Sequence, residues 1–339
     1  MDNVLRLALV FSLALLFGAL VIALSGRNPF EVYHLLFVQS FGSRQALADT
    51  LLNSTPLIFT GLATLVAFRT GIFNVGVEGS LYLGAFAAAW VGFTFTTLPG
   101  WLLTSLCLSA AAFAGALWLL PPAYLRARFH VDEVVSTLLL NYVAINLTSY
   151  LVNYPFLAPG TANSMTVPIA DQARLGRLVD GSQLNSGFLF ALAAALLVTL
   201  LYRHTVLGYM LRVVGSNPLF AQAVGIPVAR IVVLSMLLSG LIGGLCGAVQ
   251  TLGVTYRFVQ GFSPGFGFEG IAVALIAGNN PFLVVLAAVL LGAMRTGGTN
   301  VQLFMDIPLD LIDVLQAVIV LLVTVQITWR WLGGRSWIS

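Results

Sequence analysis

The sequence predicts an all-α polytopic membrane protein, and three observations carry that prediction. Of 339 residues, 59% are hydrophobic and only 8% are charged, whereas a soluble domain carries about a quarter charged residues. Mean hydropathy is +0.98, and apolar runs of membrane-crossing length recur along the whole chain. The short alternating segments of an outer-membrane barrel are absent.

Against a hydrocarbon core that a helix crosses in about 20 residues, the runs divide into about ten transmembrane helices. They fall at roughly 4–25, 47–68, 72–92, 101–121, 133–152, 187–202, 231–252, 267–280, 281–295 and 308–328. The first has Arg6 near its start and is long for a signal peptide, so it reads as an uncleaved anchor. The whole of 1–339 reads as a single transmembrane domain. With ten spans both termini share a side, and the arginine bias of the connections puts them in the cytoplasm. Arg69, Arg126, Arg128, Arg203, Arg212, Arg230, Arg330 and Arg335 fall in that set, against Arg27, Arg44, Arg174, Arg177, Arg257 and Arg295 outside.

Two connections exceed a turn. The outer one, 153–186, is rich in Pro, Gly, Asn and Ser, and holds Arg174 and Arg177 between Asp171 and Asp180. Those arginines read either as anchors for acidic groups on a docking protein or as solvated loop charges. The inner one, 203–230, contains Ser216-Asn217-Pro218, which is a helix cap followed by proline at the first helical position. Leu219, Phe220, Ala221 and Ala223 then form one to two turns, which Gly225 and Pro227 stop. A capped helix lying along the cytoplasmic face reads as a docking surface, the alternative being a plain connector.

Several chemistries are excluded. The chain has no lysine, so it cannot supply the phosphate-binding Lys of a P-loop. His34, His130 and His204 are far apart, there is no HExxH, and no GxSxG elbow occurs. A net charge of +3 on scattered arginines is not a nucleic-acid footprint. Cys107 and Cys246 are isolated and read as small apolar residues at lipid depth.

Gly76-Val77-Glu78-Gly79 opens one span and Gly267-Phe268-Glu269-Gly270 opens another that runs in the opposite direction. Matching glycine-broken openings in antiparallel halves are the signature of an inverted-topology repeat, here pairing helices 2–5 with 7–10. A charged residue at lipid depth costs about 2.5–3.5 kcal/mol on insertion scales. Glu78 and Glu269 therefore either bond backbone amides freed by the glycines or meet substrate. Asp132 and Glu133 read as a helix start. Asn141, two turns on, and Asn74 are read as amides facing a polar path with Phe268, while Asn146 reads as helix–helix glue. Asp306, Asp310 and Asp313 form a hydrated rim at the last span.

Four stretches, in order, resemble the permease subunits of bacterial ABC importers for nucleosides and simple sugars, relatives of the ribose and branched-chain amino-acid permeases. They are Phe73-Asn74-Val75-Gly76-Val77-Glu78-Gly79; Asp132-Glu133-Val134-Val135-Ser136-Thr137 through Asn141-Tyr142; Gly215-Ser216-Asn217-Pro218 through Gly225-Ile226; and Gly265-Phe266-Gly267-Phe268-Glu269-Gly270 through Leu275. Ser80 and Ala277-Gly278 depart from the family pattern and leave the cargo open. The resemblance implies a type II ABC importer permease-like fold in the bacterial cytoplasmic membrane and a permease dimer, with no cofactor of its own. It further implies a separate cytoplasmic ATPase that binds ATP and an extracytoplasmic binding lipoprotein. The cargo reads as a nucleoside; a simple sugar or a branched-chain amino acid is the alternative within the fold. A proton-coupled secondary transporter working through Glu78 and Glu269 is the alternative outside it.

Overall fold

A computed structural model describes residues 16–305 apart from 21 and 25, together with 314, 316–318 and 321. The expected spans 4–25 and 308–328 lie largely outside the described residues, as do Asp306, Asp310 and Asp313. All regular structure among the described residues is helical.

Local chemistry sets most helix ends. α1 (Pro29–Phe41) starts with proline behind Asn28, whose side chain accepts from Phe30 N. α2 (Arg44–Phe68) starts behind Ser43, which accepts from Ala46 N. α3 (Val77–Thr94) begins only after an extended segment, five residues later than hydropathy alone suggests. α4 (Gly100–Trp118) runs almost directly into α5 (Leu120–Phe129), which ends on His130 in the left-handed region at φ 56. α6 (Glu133–Asn153) has Asp132 as its cap, accepting from Val135 N at 3.0 Å.

α7 (Gly187–His204) is followed by α8 (Val206–Ser216) and α9 (Pro218–Ala223), capped by Thr205 and Asn217. α10 (Val228–Gln250) carries a π-helical extension at Thr251–Thr255. α11 (Phe266–Ile276) and α12 (Pro281–Met305) complete the described bundle. Among the described residues, six stretches are long and apolar enough to cross a membrane: Arg44–Phe68, Gly100–Phe129, Glu133–Asn153, Gly187–His204, Val228–Thr255 and Pro281–Met305. The apolar run 267–280 is too short a helix for that, and 281–295 continues ten residues further than expected. Arg295 therefore lies inside α12 instead of at its end.

The core forms where α2 and α10 meet α3, α4, α11 and α12. Lipid tails are as apolar as leucine, so helices in a bilayer associate through close packing, which small residues permit. α10 supplies that surface. A Cβ on Gly244 would overlap the carbonyl oxygen of Ala111 on α4, and one on Gly247 would overlap that of Leu81 on α3.

At one end of the bundle the long connection folds into a cap. Leu175 N donates to Leu252 O at 3.0 Å, Ile169 N to Tyr256 O at 2.9 Å and Ala170 N to Gly92 O at 3.0 Å. Gln45 Nε2 donates to Gly181 O at 2.8 Å, and Ser182 Oγ to Asp49 Oδ1 at 2.9 Å. The other end gathers Arg69, α5, α8, α9 and the 277–280 turn.

Candidate functional site

The two Gly-x-Glu-Gly openings meet. Glu78, 2% exposed, accepts from Gly267 N at 2.6 Å through Oε2. Its carboxylate thereby sits at the N-terminal ends of α3 and α11 together, where both helix dipoles favour an anion. Only glycine permits the approach, because a side chain on Gly267 would collide with the backbone of Glu78, and one on Gly270 with Thr60 of α2. Gly265, at φ 104, turns the chain into α11 in a conformation that favours glycine.

Glu269 has a different partner. Arg295 Nη1 donates to both its oxygens, at 2.9 and 3.0 Å, and the guanidinium lies 5.1 Å from the Phe266 ring centre. Of the two glutamates, Glu78 follows the backbone-amide alternative and Glu269 is an ion-pair partner. Pairing also explains how an arginine is accommodated inside α12.

The extended segment that precedes α3 has its backbone satisfied by one face of α6. Phe73 N donates to Glu133 Oε1 at 3.3 Å, Val75 N to Thr137 Oγ1 at 3.2 Å and Gly79 N to Asn141 Oδ1 at 2.8 Å. Asn141 Nδ2 returns a bond to Val75 O at 2.8 Å. Residues four apart share a helix face, so Glu133, Thr137 and Asn141 form a polar stripe that reads the segment like a neighbouring strand. Arg126 Nε, 3.1 Å from Glu133 Oε2, fixes the lowest member.

Asn74 closes the break from the other side. Its Oδ1 accepts from Gly76 N at 2.8 Å, and its Nδ2 donates to Ser239 Oγ of α10 at 2.8 Å. Asn74 and Asn141 are 0% and 1% exposed. A broken helix at lipid depth must find partners for its freed backbone groups, and in this structure these amides are those partners. Phe268 is the expected path residue that is exposed, together with Phe73. Asn146 is exposed and donates to Tyr142 O of its own helix at 2.7 Å. Thr137 and Ser239 were not singled out by sequence, although the spacing 133, 137, 141 was available as a signal.

The 203–230 segment contains two helices, not one. α8 is amphipathic and buries Gly208, Leu211 and Val214. Gly215 packs so closely on Arg69 that a Cβ would overlap the Arg69 carbonyl oxygen. Arg69 Nε in turn donates to Asn279 O at 2.7 Å, and its guanidinium stacks 4.6 Å from the Tyr202 ring centre. The end of α8 and the turn after α11 are thus held by one residue. In α9, Asn217 Oδ1 accepts from Phe220 N at 3.0 Å, Pro218 is first in the helix and Gly225 stops it at φ 83, as expected. Leu219 is 76% exposed, with Phe220, Ala223 and Val224 also exposed, whereas Ala221 is fully buried.

At the capped end Arg174 pairs with Asp171 at 2.6 Å and lies over Tyr256, while Arg177 is exposed.

These features find counterparts in known proteins. Residues 46–324 match the family described as the branched-chain amino acid transport system permease component. The guanosine ABC transporter permease protein NupP of Bacillus subtilis is 37% identical over 97% of this chain and 94% of its own length. The nucleoside ABC transporter permease protein NupB of Lactococcus lactis is 31% identical over 96% and 93%. The glucose ABC transporter permease protein TsgB13 of Haloferax volcanii is 34% identical over 91% and 83%. With a match of that extent, the chain belongs to the family of branched-chain amino acid transport system permease components.

Proposed function

We propose that the chain is the membrane permease subunit of an ABC importer and moves a nucleoside inward across the bacterial cytoplasmic membrane. The observation that supports the cargo most is its likeness, over more than nine-tenths of its length, to two permeases named for guanosine and nucleosides. In this reading the chain has ten membrane helices, with both termini cytoplasmic and helices 2–5 related to 7–10 by an inverted repeat. The meeting of Glu78 with Gly267 at the two matching openings supports the repeat. A separate ATPase hydrolyses ATP and docks on α9, a second permease subunit completes the translocation unit, and a binding lipoprotein delivers cargo to the 153–186 cap near Arg174 and Arg177.

Sequence alone suggests testing α9 by placing Glu at Ala221 and Ala223. The burial of Ala221 makes that pair a test of folding, so exposed Leu219 and Phe220 are the cleaner probes. With the ATPase co-expressed, Leu219→Glu/Phe220→Glu leaves membrane insertion intact and abolishes cargo-stimulated ATP hydrolysis; normal stimulation removes the docking assignment. In proteoliposomes the intact importer takes up labelled guanosine with ATP and ignores ribose and leucine. Uptake that survives loss of ATP and collapses with an uncoupler replaces the importer by a proton-driven carrier through Glu78 and Glu269.

A further inference from the structure

We propose that the groove between α5 and α10 is a binding site for one anionic phospholipid. It is an open groove of about 450 Å³, within the range of small-molecule sites. Tyr124 and Ala127 of α5 and Val233 and Leu234 of α10 form its apolar walls, with Arg128 and Arg230 as its charged members. The spacings 124, 127, 128 and 230, 233, 234 each place their residues on one helix face, so two faces flank the groove.

Charge and apolar surface are segregated along it. Arg128 is next to the last residue of α5, and Arg230 lies in the first turn of α10. The groove itself is lined almost wholly by apolar atoms, so the two arginines border it through their aliphatic stems at the end where α5 stops and α10 starts, with Tyr124, Val233 and Leu234 further into their helices. This head-to-tail arrangement matches a phospholipid: an anionic headgroup at the arginines and an acyl chain along the walls. An inorganic anion would leave the apolar part of the groove unfilled.

The arginines also lack protein partners. Arg126, two residues before Arg128, is tied to Glu133, but among the described residues neither Arg128 nor Arg230 has an ion pair or hydrogen bond, and both are exposed. A cation in the first turn of a helix opposes the helix dipole, and an anion beside Arg230 offsets that penalty. Basic pockets between membrane helices are a recognised setting for anionic headgroups.

The test uses the full-length chain purified in detergent and titrated with phosphatidylglycerol or phosphatidylcholine of equal chain length, with bound lipid counted by native mass spectrometry. The expected result is one retained phosphatidylglycerol, preferred over phosphatidylcholine by roughly thirtyfold, about fivefold for each arginine. Arg128→Ala/Arg230→Ala brings the two lipids to parity. Leu234→Trp, which fills the groove and keeps both charges, also loses the retained lipid. Arg203→Ala/Arg212→Ala, removing two other exposed arginines at the same end, keeps it. Parity in the unaltered protein overturns the proposal, as does equal loss in the Arg203/Arg212 control, which would mark a diffuse basic end. Retention by Leu234→Trp, or competition by inorganic phosphate alone, would mean an anion site without a lipid groove and overturns it too. Each variant is compared at equal helix content and a single oligomeric peak, and Arg128→Gln/Arg230→Gln replaces the alanine pair if that pair fails to fold.

Discussion

Replacing Asn141 with leucine tests the central structural claim, that the amide completes a broken helix and does not line a path. The side chain makes two buried bonds, from Gly79 N and to Val75 O, both 2.8 Å. Leucine removes both and leaves a backbone donor and an acceptor without partners, at about 1–3 kcal/mol each, or about 2–6 kcal/mol together. Side-chain bonds measured in a membrane protein average about 0.6 and reach about 1.7 kcal/mol, which gives about 1–3 kcal/mol for two. The ranges overlap at about 2–3 kcal/mol, and that is the expected loss. Asn146→Leu is the control, because its bond to Tyr142 O is local and its side chain exposed; it should cost under about 0.5 kcal/mol. Unfolding in SDS at fixed lipid-to-detergent ratio, followed by helical ellipticity, measures both. If the two variants unfold together, the α6 stripe does not hold the segment and the amide is available for another role.

Gly244→Ala should abolish recovery of folded protein, since the new Cβ meets backbone of Ala111 and Gly115, whereas Gly176→Ala, with open space around it, should be neutral; fluorescence-detected size exclusion separates the two. Reversing the ion pair with Glu269→Arg/Arg295→Glu should recover part of the stability lost by either single change, a coupling on the order of 1 kcal/mol. Additive losses in the thermal midpoints would mean that the pair contributes no mutual stabilisation.

Where a run is uniformly apolar or an end is set by local chemistry, sequence and structure agree. The expected 133–152 and 187–202 are Glu133–Asn153 and Gly187–His204, and the Asn217-Pro218 start with its Gly225 stop needs nothing beyond its neighbours. The failures have tertiary causes. The expected span 281–295 stops short of Thr296, Thr299 and Asn300, which lower the hydropathy of the run. Each instead bonds the carbonyl four residues back, at 3.0 Å in every case. Gly297 provides a further contact, packing against Ser40 and Leu36 of α1. α3 starts late because α6 holds the backbone of 73–75 outside the helix through Glu133 and Thr137, residues about 60 positions away. α8 was missed because an eleven-residue amphipathic helix is shorter than any membrane run.

The break at the centre of the bundle leaves little polar chemistry for a cargo. Asn74, Asn141, Glu78 and Thr137 are each engaged with backbone, and an amide fully engaged in that way cannot also bind a moving ligand without letting the break come apart. Near the break, Phe268 and Phe73 are exposed and the Glu269–Arg295 pair is partly so, with one face of Phe73 stacked on Phe68. An aromatic face can hold a nucleobase by stacking, worth about 1–3 kcal/mol per base in nucleic-acid complexes, which is weak enough to let go. Weak binding suits a conduit, because conduction requires that a site release what it admits. This ordering makes a prediction opposite to the one hydropathy and spacing support. In a background with Cys107 and Cys246 replaced, Phe268→Cys should react with a water-soluble maleimide, while Asn74→Cys and Asn141→Cys stay unlabelled in every nucleotide state. Labelling at 74 or 141 with 268 inert would mean that the break opens during transport and that its amides line the path after all.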